Sequence, residues 1–314
     1  MGTGFHDVAG RMTQRRFDGR VAVITGGARG LGRAYAELLG SLGAKILVND
    51  NGSALSGDGS DAGPAQQAAE GLRAAGVDAI ASADSVATPQ GGRAIVECAL
   101  DHFGRIDVLI HNAGNNRFAM LAETSYEDFR AVLDVHLLGA FHVVRPAFER
   151  MVKAGYGRVV LTGSIGGLYS MPSTVNYAMA KSGMIGLNNI VAIEGKAFGV
   201  KSNIILPGAV TRMAEGLDTS QYPPMGPELV APVVGLLAHE SCPVSGELYI
   251  SVSGRVARAF VSETEGVYRP AWTIDQVAED LDAIRDTSRQ WTFHPLENGF
   301  GEHLTRSFEM VRAG

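Results

Sequence analysis

The chain predicts a doubly wound α/β fold, a parallel sheet with helices on both faces. Three observations carry that expectation. Apolar β-branched runs alternate with segments of helical period, as in successive βα units. The first run, Arg20-Val21-Ala22-Val23-Ile24, reads as a strand buried on both faces, and it passes through a glycine turn into a helix. At 314 residues and 46 % apolar content, one large domain with appendages is expected rather than two.

Strands are expected to start near Val21, Ile46, Ala79, Val108, Val159, Lys201 and Leu248. Helices are expected near Leu31, Pro64, Gln90, Tyr126, Tyr177 and Pro227. The first helix places Leu31, Ala34, Tyr35, Leu38 and Leu39 at helical spacing. Before it stands Thr25-Gly26-Gly27-Ala28-Arg29-Gly30-Leu31-Gly32. Strand, glycine turn and helix make the setting of a Rossmann-type dinucleotide site. There the pyrophosphate approaches bare backbone and meets the helix N-terminus. The spacing is G-x-x-x-G-x-G, not G-x-G-x-x-G. The second strand, Lys45 to Asn49, ends at Asp50, where a carboxylate bonds the adenosine ribose hydroxyls and repels a 2′-phosphate. NAD(H) is therefore expected over NADP(H). Arg29, a basic residue in the turn, could serve a phosphate and argues the other way.

A further strand, Arg158 to Gly163, ends at Ser164, whose hydroxyl can hold a substrate oxygen. Tyr177 and Lys181 follow, one helical turn apart on one face. A lysine ammonium beside a phenol favours the phenolate, which can then take a proton from an alcohol. Alone, the pair reads rather as a tyrosine covering a lysine stem, and the further motifs reverse that.

Together these motifs resemble the short-chain dehydrogenase/reductase family, whose pattern also includes the N-A-G run found at Asn112-Ala113-Gly114. The resemblance covers roughly Phe17 to Arg255. It implies that Tyr177 is the acid/base, that Ser164 positions the carbonyl or alcohol, and that Lys181 binds the nicotinamide ribose while lowering the tyrosine pKa. It implies cofactor contacts at Gly26, Arg29, Gly30, Leu31 and Gly32, and at Asp84 and Ser85. It extends them to Asn112, Ala113, Gly114, Tyr177 and Lys181, and to the loop residues Pro207, Gly208, Val210 and Thr211. One position departs from the pattern. His136 stands where the family has an asparagine that stabilises a helix kink and holds a proton-relay water. The histidine could take that part or be a satisfied interior residue. Val48-Asn49-Asp50, Asp84-Ser85-Val86, Val135-His136-Leu137 and His239-Glu240-Ser241-Cys242 resemble the dehydrogenase domain of peroxisomal multifunctional enzyme type 2 and its bacterial single-domain relatives. That implies (3R)-hydroxyacyl-CoA or 17β-hydroxysteroid substrates and a homodimer or homotetramer.

Residues 1–16 read as a flexible tail, 17–255 as the catalytic domain and 256–314 as an extension packing on the core or on a neighbouring subunit. Asn51 to Gly63 is rich in Gly, Ser and Asp, too polar to pack, and is expected as a mobile loop beside the adenosine or a clamp on a CoA nucleotide. Ala214 to Glu228 is expected as a substrate lid, with Met213, Leu217, Tyr222 and Met225 toward an apolar pocket or in ordinary loop packing. Asn115, Asn116 and Arg117 are expected to border that pocket. Ile274 to Ile284 has helical period behind Thr273 as N-cap.

The net charge of −6 argues against a nucleic-acid partner. No stretch approaches about 18 apolar residues, so no membrane span is expected. With two cysteines and no zinc-type histidine cluster, neither a disulfide framework nor a metal is expected, and a reduced, cytoplasmic setting is. The partner expected is a small hydrophobic alcohol or ketone. Two rival readings are an NADPH-dependent ketoacyl reductase and a non-catalytic dinucleotide-sensing protein.

Overall fold

The structure, a computed structural model, describes residues 15–211 and 221–313. Most of the expected tail, and Met213 and Leu217 of the expected lid, lie outside the described residues.

Seven parallel strands run through the sheet: β1 (Val21–Thr25), β2 (Lys45–Asn49), β3 (Ala79–Ser82), β4 (Val108–His111), β5 (Gly157–Thr162), β6 (Val200–Gly208) and β7 (Leu248–Val252). An eighth, β8 (Arg255–Ala259), folds back antiparallel on β7, and the order is β3-β2-β1-β4-β5-β6-β7-β8. The expected core boundary at 255 therefore falls at the first residue of a sheet strand. The order reverses beside β1, which pairs with both β2 and β4. In such sheets the crevice outside the carboxyl ends at the reversal receives ligands.

Alternation along each strand divides the core between two faces. Ala22, Ile24, Ile46, Val48, Ile110 and Val160 face one layer, with α1 (Gly30–Ser41), α2 (Gly63–Ala74) and α7 (Ala231–Ala238). Val23, Leu47, Leu109, Val159 and Leu161 face the other, with α3 (Pro89–Phe103), α5 (Gly139–Ala154) and α6 (Val175–Gly195). Helix ends follow local chemistry. The Thr88 hydroxyl accepts from Gly91 N at the head of α3, and Gly104 closes it in the left-handed region. Ser125 caps α4 (Tyr126–Leu133) by accepting from Asp128 N.

Between α4 and α5 lies one π-helical turn, Asp134–Leu138, which carries His136. The continuous run Tyr126–Ala154 is long and apolar enough to cross a membrane by length and composition alone, against the expectation from the sequence. Its apolar side, Val132, Ala140, Val143, Ala147 and Met151, is buried, much of it against the sheet, which is the packing of a core helix.

In the extension, β9 (Glu263–Thr264) pairs with β10 (Gln290–Trp291). Thr273 caps as expected and forms a reciprocal capping box with Gln276. The single helix expected to Ile284 is two, α8 (Ile274–Glu279) and α9 (Leu281–Ile284). Asp280, whose carboxylate binds Arg269 Nε at 2.7 Å, leaves the helical region and divides them. The expected apolar stripe finds no core there, and Ile274 is 89 % exposed. The chain then ends in α10 (Gly299–Ala313).

Candidate active site

The carboxyl ends of β1, β2, β4, β5 and β6 open on one cleft of about 340 Å³. Gly26, Arg29, Gly30, Leu31, Asp50, Asp84, Ser85, Asn112, Ala113, Gly114, His136, Tyr177, Lys181, Pro207 and Thr211 all line it. Four expected residues do not. Gly32 serves closure instead: a Cβ there would lie 2.1 Å from Gly26 O, so helix and turn meet only through glycine. Gly208 packs on Val252, and Val210 N donates to Met225 O at 2.7 Å. Ser164 stands one residue beyond the lining Gly163, and its hydroxyl accepts from Gly166 N at 3.0 Å and acts to lower the Tyr177 pKa.

The glycine turn packs closely on the Asn112–Gly114 segment. Gly26 has φ +61°, and a Cβ there would come within 2.8 Å of Ala113 Cα. Asp50 is fixed by Ala28 N at 3.3 Å and Gly52 N at 2.9 Å. This leaves a carboxylate at the end of β2 facing the cleft.

Two residues that reasoning from the sequence missed hold this floor in place. Thr25 Oγ1 accepts from Asn112 N at 3.1 Å and from Ala113 N at 3.2 Å. It also meets His111 Nδ1 at 3.1 Å, while His111 Nε2 lies 3.2 Å from the carbonyl of His136. A carbonyl only accepts, so Nε2 carries the proton and Thr25 donates to Nδ1. Burial brings the His111 pKa down to about 3, which keeps the ring neutral. Asn49 is the other: its Nδ2 donates to Asp84 O at 2.9 Å and holds the β3 loop at the rim. Both close apolar strands, where the sequence marks them as parts of motifs and not the contacts they make.

His136 is buried, and its Nε2 lies 2.8 Å from Asn115 O and 3.1 Å from Asn115 N. Its ring stands edge-on to Tyr177 at 5.2 Å. Gly114 makes the room, because a Cβ there would lie 2.5 Å from the ring. Burial first, then the charge of Lys181, holds the imidazole neutral. Its Nδ1, Asn115 Oδ1 and Thr162 Oγ1 are buried polar atoms without a partner among the described residues.

Lys181 is anchored on the end of β5. Its ammonium donates to Thr162 O at 2.5 Å and lies 5.6 Å from the Tyr177 ring centre. It is buried with no carboxylate partner among the described residues, and burial brings its pKa down to about 7. Tyr177 is not driven toward phenolate here. Burial raises its pKa, and the hydrogen bond with Ser164 only partly offsets this.

The insert after β2 also reaches the site: Asn51, Ser53, Leu55 and Gly57 line the cleft, and hydrogen bonds hold the segment there. Leu55 O accepts from Asn116 N at 2.9 Å, and Arg117 binds Ser56 O at 2.9 Å and Asp58 at 2.8 Å. Arg117 also pairs with Asp128 at 2.7 Å, so its charge is spent on this framework, whereas Asn115 does line the cleft.

Residues 20–221 match the family profile described as short chain dehydrogenase. The chain is 42 % identical over 280 residues to peroxisomal multifunctional enzyme type 2 of Drosophila melanogaster, covering 87 % of this chain and 46 % of that protein. It thus spans about half the length of that curated relative. The solved full-length structure of that enzyme superposes with TM-score 0.77 at 35 % identity, over 92 % of this chain and 49 % of that one. A short chain dehydrogenase from Mycobacterium avium gives TM-score 0.75 at 34 % identity, over 85 % and 95 %.

Proposed function

The chain belongs to the short chain dehydrogenase family and is an oxidoreductase acting on CH–OH groups, and we propose that it uses NAD(H) to interconvert a 3-hydroxyacyl-CoA-type or hydroxysteroid-type alcohol with its ketone. One observation carries the proposal: Tyr177 and the buried Lys181 meet at one end of a cleft whose other end holds the Asp50 carboxylate. The glycines of the turn, Gly26 and Gly30, with the carboxylate and the Thr162 hydroxyl, unpartnered among the described residues, fit a dinucleotide. When bound, that group supplies the hydride donor or acceptor.

The chain's own residues would do the rest. Ser164 holds the substrate oxygen against the Tyr177 hydroxyl, which takes the proton in oxidation and gives it in reduction. Lys181 places a cation beside the ribose position and the phenol, in a site dry enough for that charge to act strongly. His136, fixed on the Asn115 backbone, holds the π turn and backs the tyrosine ring. Exposed Phe118, Met120, Tyr169 and Met171, on the segments following Gly114 and Ser164, support a hydrophobic substrate. Exposed Phe141, Ile190 and Ile193 on α5 and α6 support a homodimer or homotetramer, and the free thiols Cys98 and Cys242 support a cytoplasmic setting.

Arg29 beside Asp50 favours one second reading, an NADPH-dependent ketoacyl reductase. A single panel decides. Purified protein is given NAD or NADP with (3R)- and (3S)-hydroxyacyl-CoA esters and 17β-hydroxysteroids, and reduced cofactor is followed. NADH from one ester or steroid series is the expected result. Turnover with NADP alone would transfer the cofactor assignment to Arg29, and silence across the panel would remove the substrate class.

A further inference from the structure

The insert of residues 51–62 leaves the end of β2, and the Asn115–Arg117 segment leaves the end of β4. Those two strands flank β1, so a link between the two segments crosses the carboxyl end of β1, where the glycine turn begins. Three fastenings make that link. Asn116 N donates to Leu55 O. Gly57 lies against Asn115 so closely that a Cβ would sit 2.5 Å from its Nδ2. Arg117 holds the Ser56 carbonyl and the Asp58 carboxylate.

Arg117 reaches the catalytic helix as well. Its carbonyl accepts from Asn176 Nδ2 at 2.9 Å, and Asn176 Oδ1 accepts from Tyr177 N at 2.8 Å. Its second guanidinium arm binds Asp128 on α4, the helix that leads into the His136 turn. Arg117 therefore joins the insert to α4 through its guanidinium and to the start of α6 through its backbone carbonyl.

We propose that Arg117 is a positioning residue, the clasp of a strap that closes over the bound dinucleotide and ties its closure to the placement of Tyr177. The inference rests on the reading of the cleft as a dinucleotide site. Bound cofactor leaves only after the strap opens, and opening breaks the Asp58 pair, the more exposed of the two at 70 % for the carboxylate side chain. Lysine cannot replace the clasp fully, because a single ammonium cannot span three acceptors that a planar fork reaches together.

The experiment is stopped-flow release of NADH, trapped with excess NAD, alongside thermal melting. Arg117→Met should release NADH about tenfold faster, since interface changes act mainly on dissociation. Arg117→Lys should fall between it and the unaltered protein. Asp58→Asn, a change at an exposed carboxylate that leaves the fold intact, should accelerate release roughly threefold by the same rule. It keeps the test decisive if Arg117→Met does not fold. A merely structural arginine would lower the melting temperature and leave the Asp58→Asn release rate alone. Release rates unchanged in Asp58→Asn and Arg117→Lys, with binding intact, overturn the clasp. Absence of any NADH binding by the unaltered protein overturns the cofactor reading and the clasp with it.

Discussion

Lys181 and Tyr177 carry opposite consequences of the same burial. The lysine falls from its ordinary 10.5 to about 7 on folding. Between those values the unfolded chain binds a proton that the folded chain has released, so stability rises with pH across that window. Below it, an ammonium stays buried on a carbonyl alone. Lys181→Met should therefore raise the melting temperature of the cofactor-free protein at pH 7 by roughly 3 °C, and flatten the rise between pH 7 and 9, while removing turnover. A lower melting temperature in the variant would mean that the Thr162 bond outweighs the desolvation. The tyrosine moves upward, so its phenol is neutral at pH 7. Ketone reduction, which needs that acid, should be flat through neutrality. Alcohol oxidation, which needs the base, should climb with pH into the alkaline range. In Tyr177→Phe both should fall by about three powers of ten or more, with NADH affinity nearly kept. A pH-independent oxidation rate would take the proton transfer away from Tyr177.

The local elements were the legible part. A strand, a glycine turn and a helix are written in sequence from Val21 to Ser41, and the Tyr177–Lys181 spacing within about one helical turn. What escaped were contacts between distant segments. The Thr25–His111 bond joins positions 86 apart, and the Arg117 clasp on Ser56 joins positions 61 apart, so the insert read as loose when its partners were elsewhere. The π turn was hidden from the periodicity, and only the resemblance pointed to a helix kink at His136. It can be tested as a unit. Gly114→Ala drives a Cβ into the His136 ring at 2.5 Å, so the turn must shift. Such overpacking should cost about 2 kcal/mol and most of the activity. The smaller His136→Asn relieves the contact, and the double variant should be more stable than Gly114→Ala alone by about 1 kcal/mol. Strict additivity in urea melts would show that the glycine and the ring do not share that space.

At the scale of the molecule, the question is where the catalytic fold ends. β8 pairs along all of β7, from Leu248 with Ala259 to Val252 with Arg255. Without it, β7 would present its unpaired backbone as the edge of a largely apolar sheet, the arrangement most prone to pair with another chain. The extension beyond β8 is fastened more lightly. Lys196 donates to Leu296 O at 3.0 Å, His294 lies 3.7 Å from Glu247, and Gly246 admits Pro295. Much of the apolar surface of the extension faces outward, with Phe300 at 81 % and Phe308 at 53 %. The two halves of the C-terminal region should therefore separate by truncation. A chain ending at Phe260 keeps every strand of the large sheet, and should fold, bind NADH and melt a few degrees lower. A chain ending at Ser253 keeps the whole cleft lining but leaves β7 bare, and should aggregate. Soluble, dinucleotide-binding protein from the shorter chain would show that the sheet closes without its antiparallel strand. Failure of the longer one would make the helical extension part of the catalytic fold.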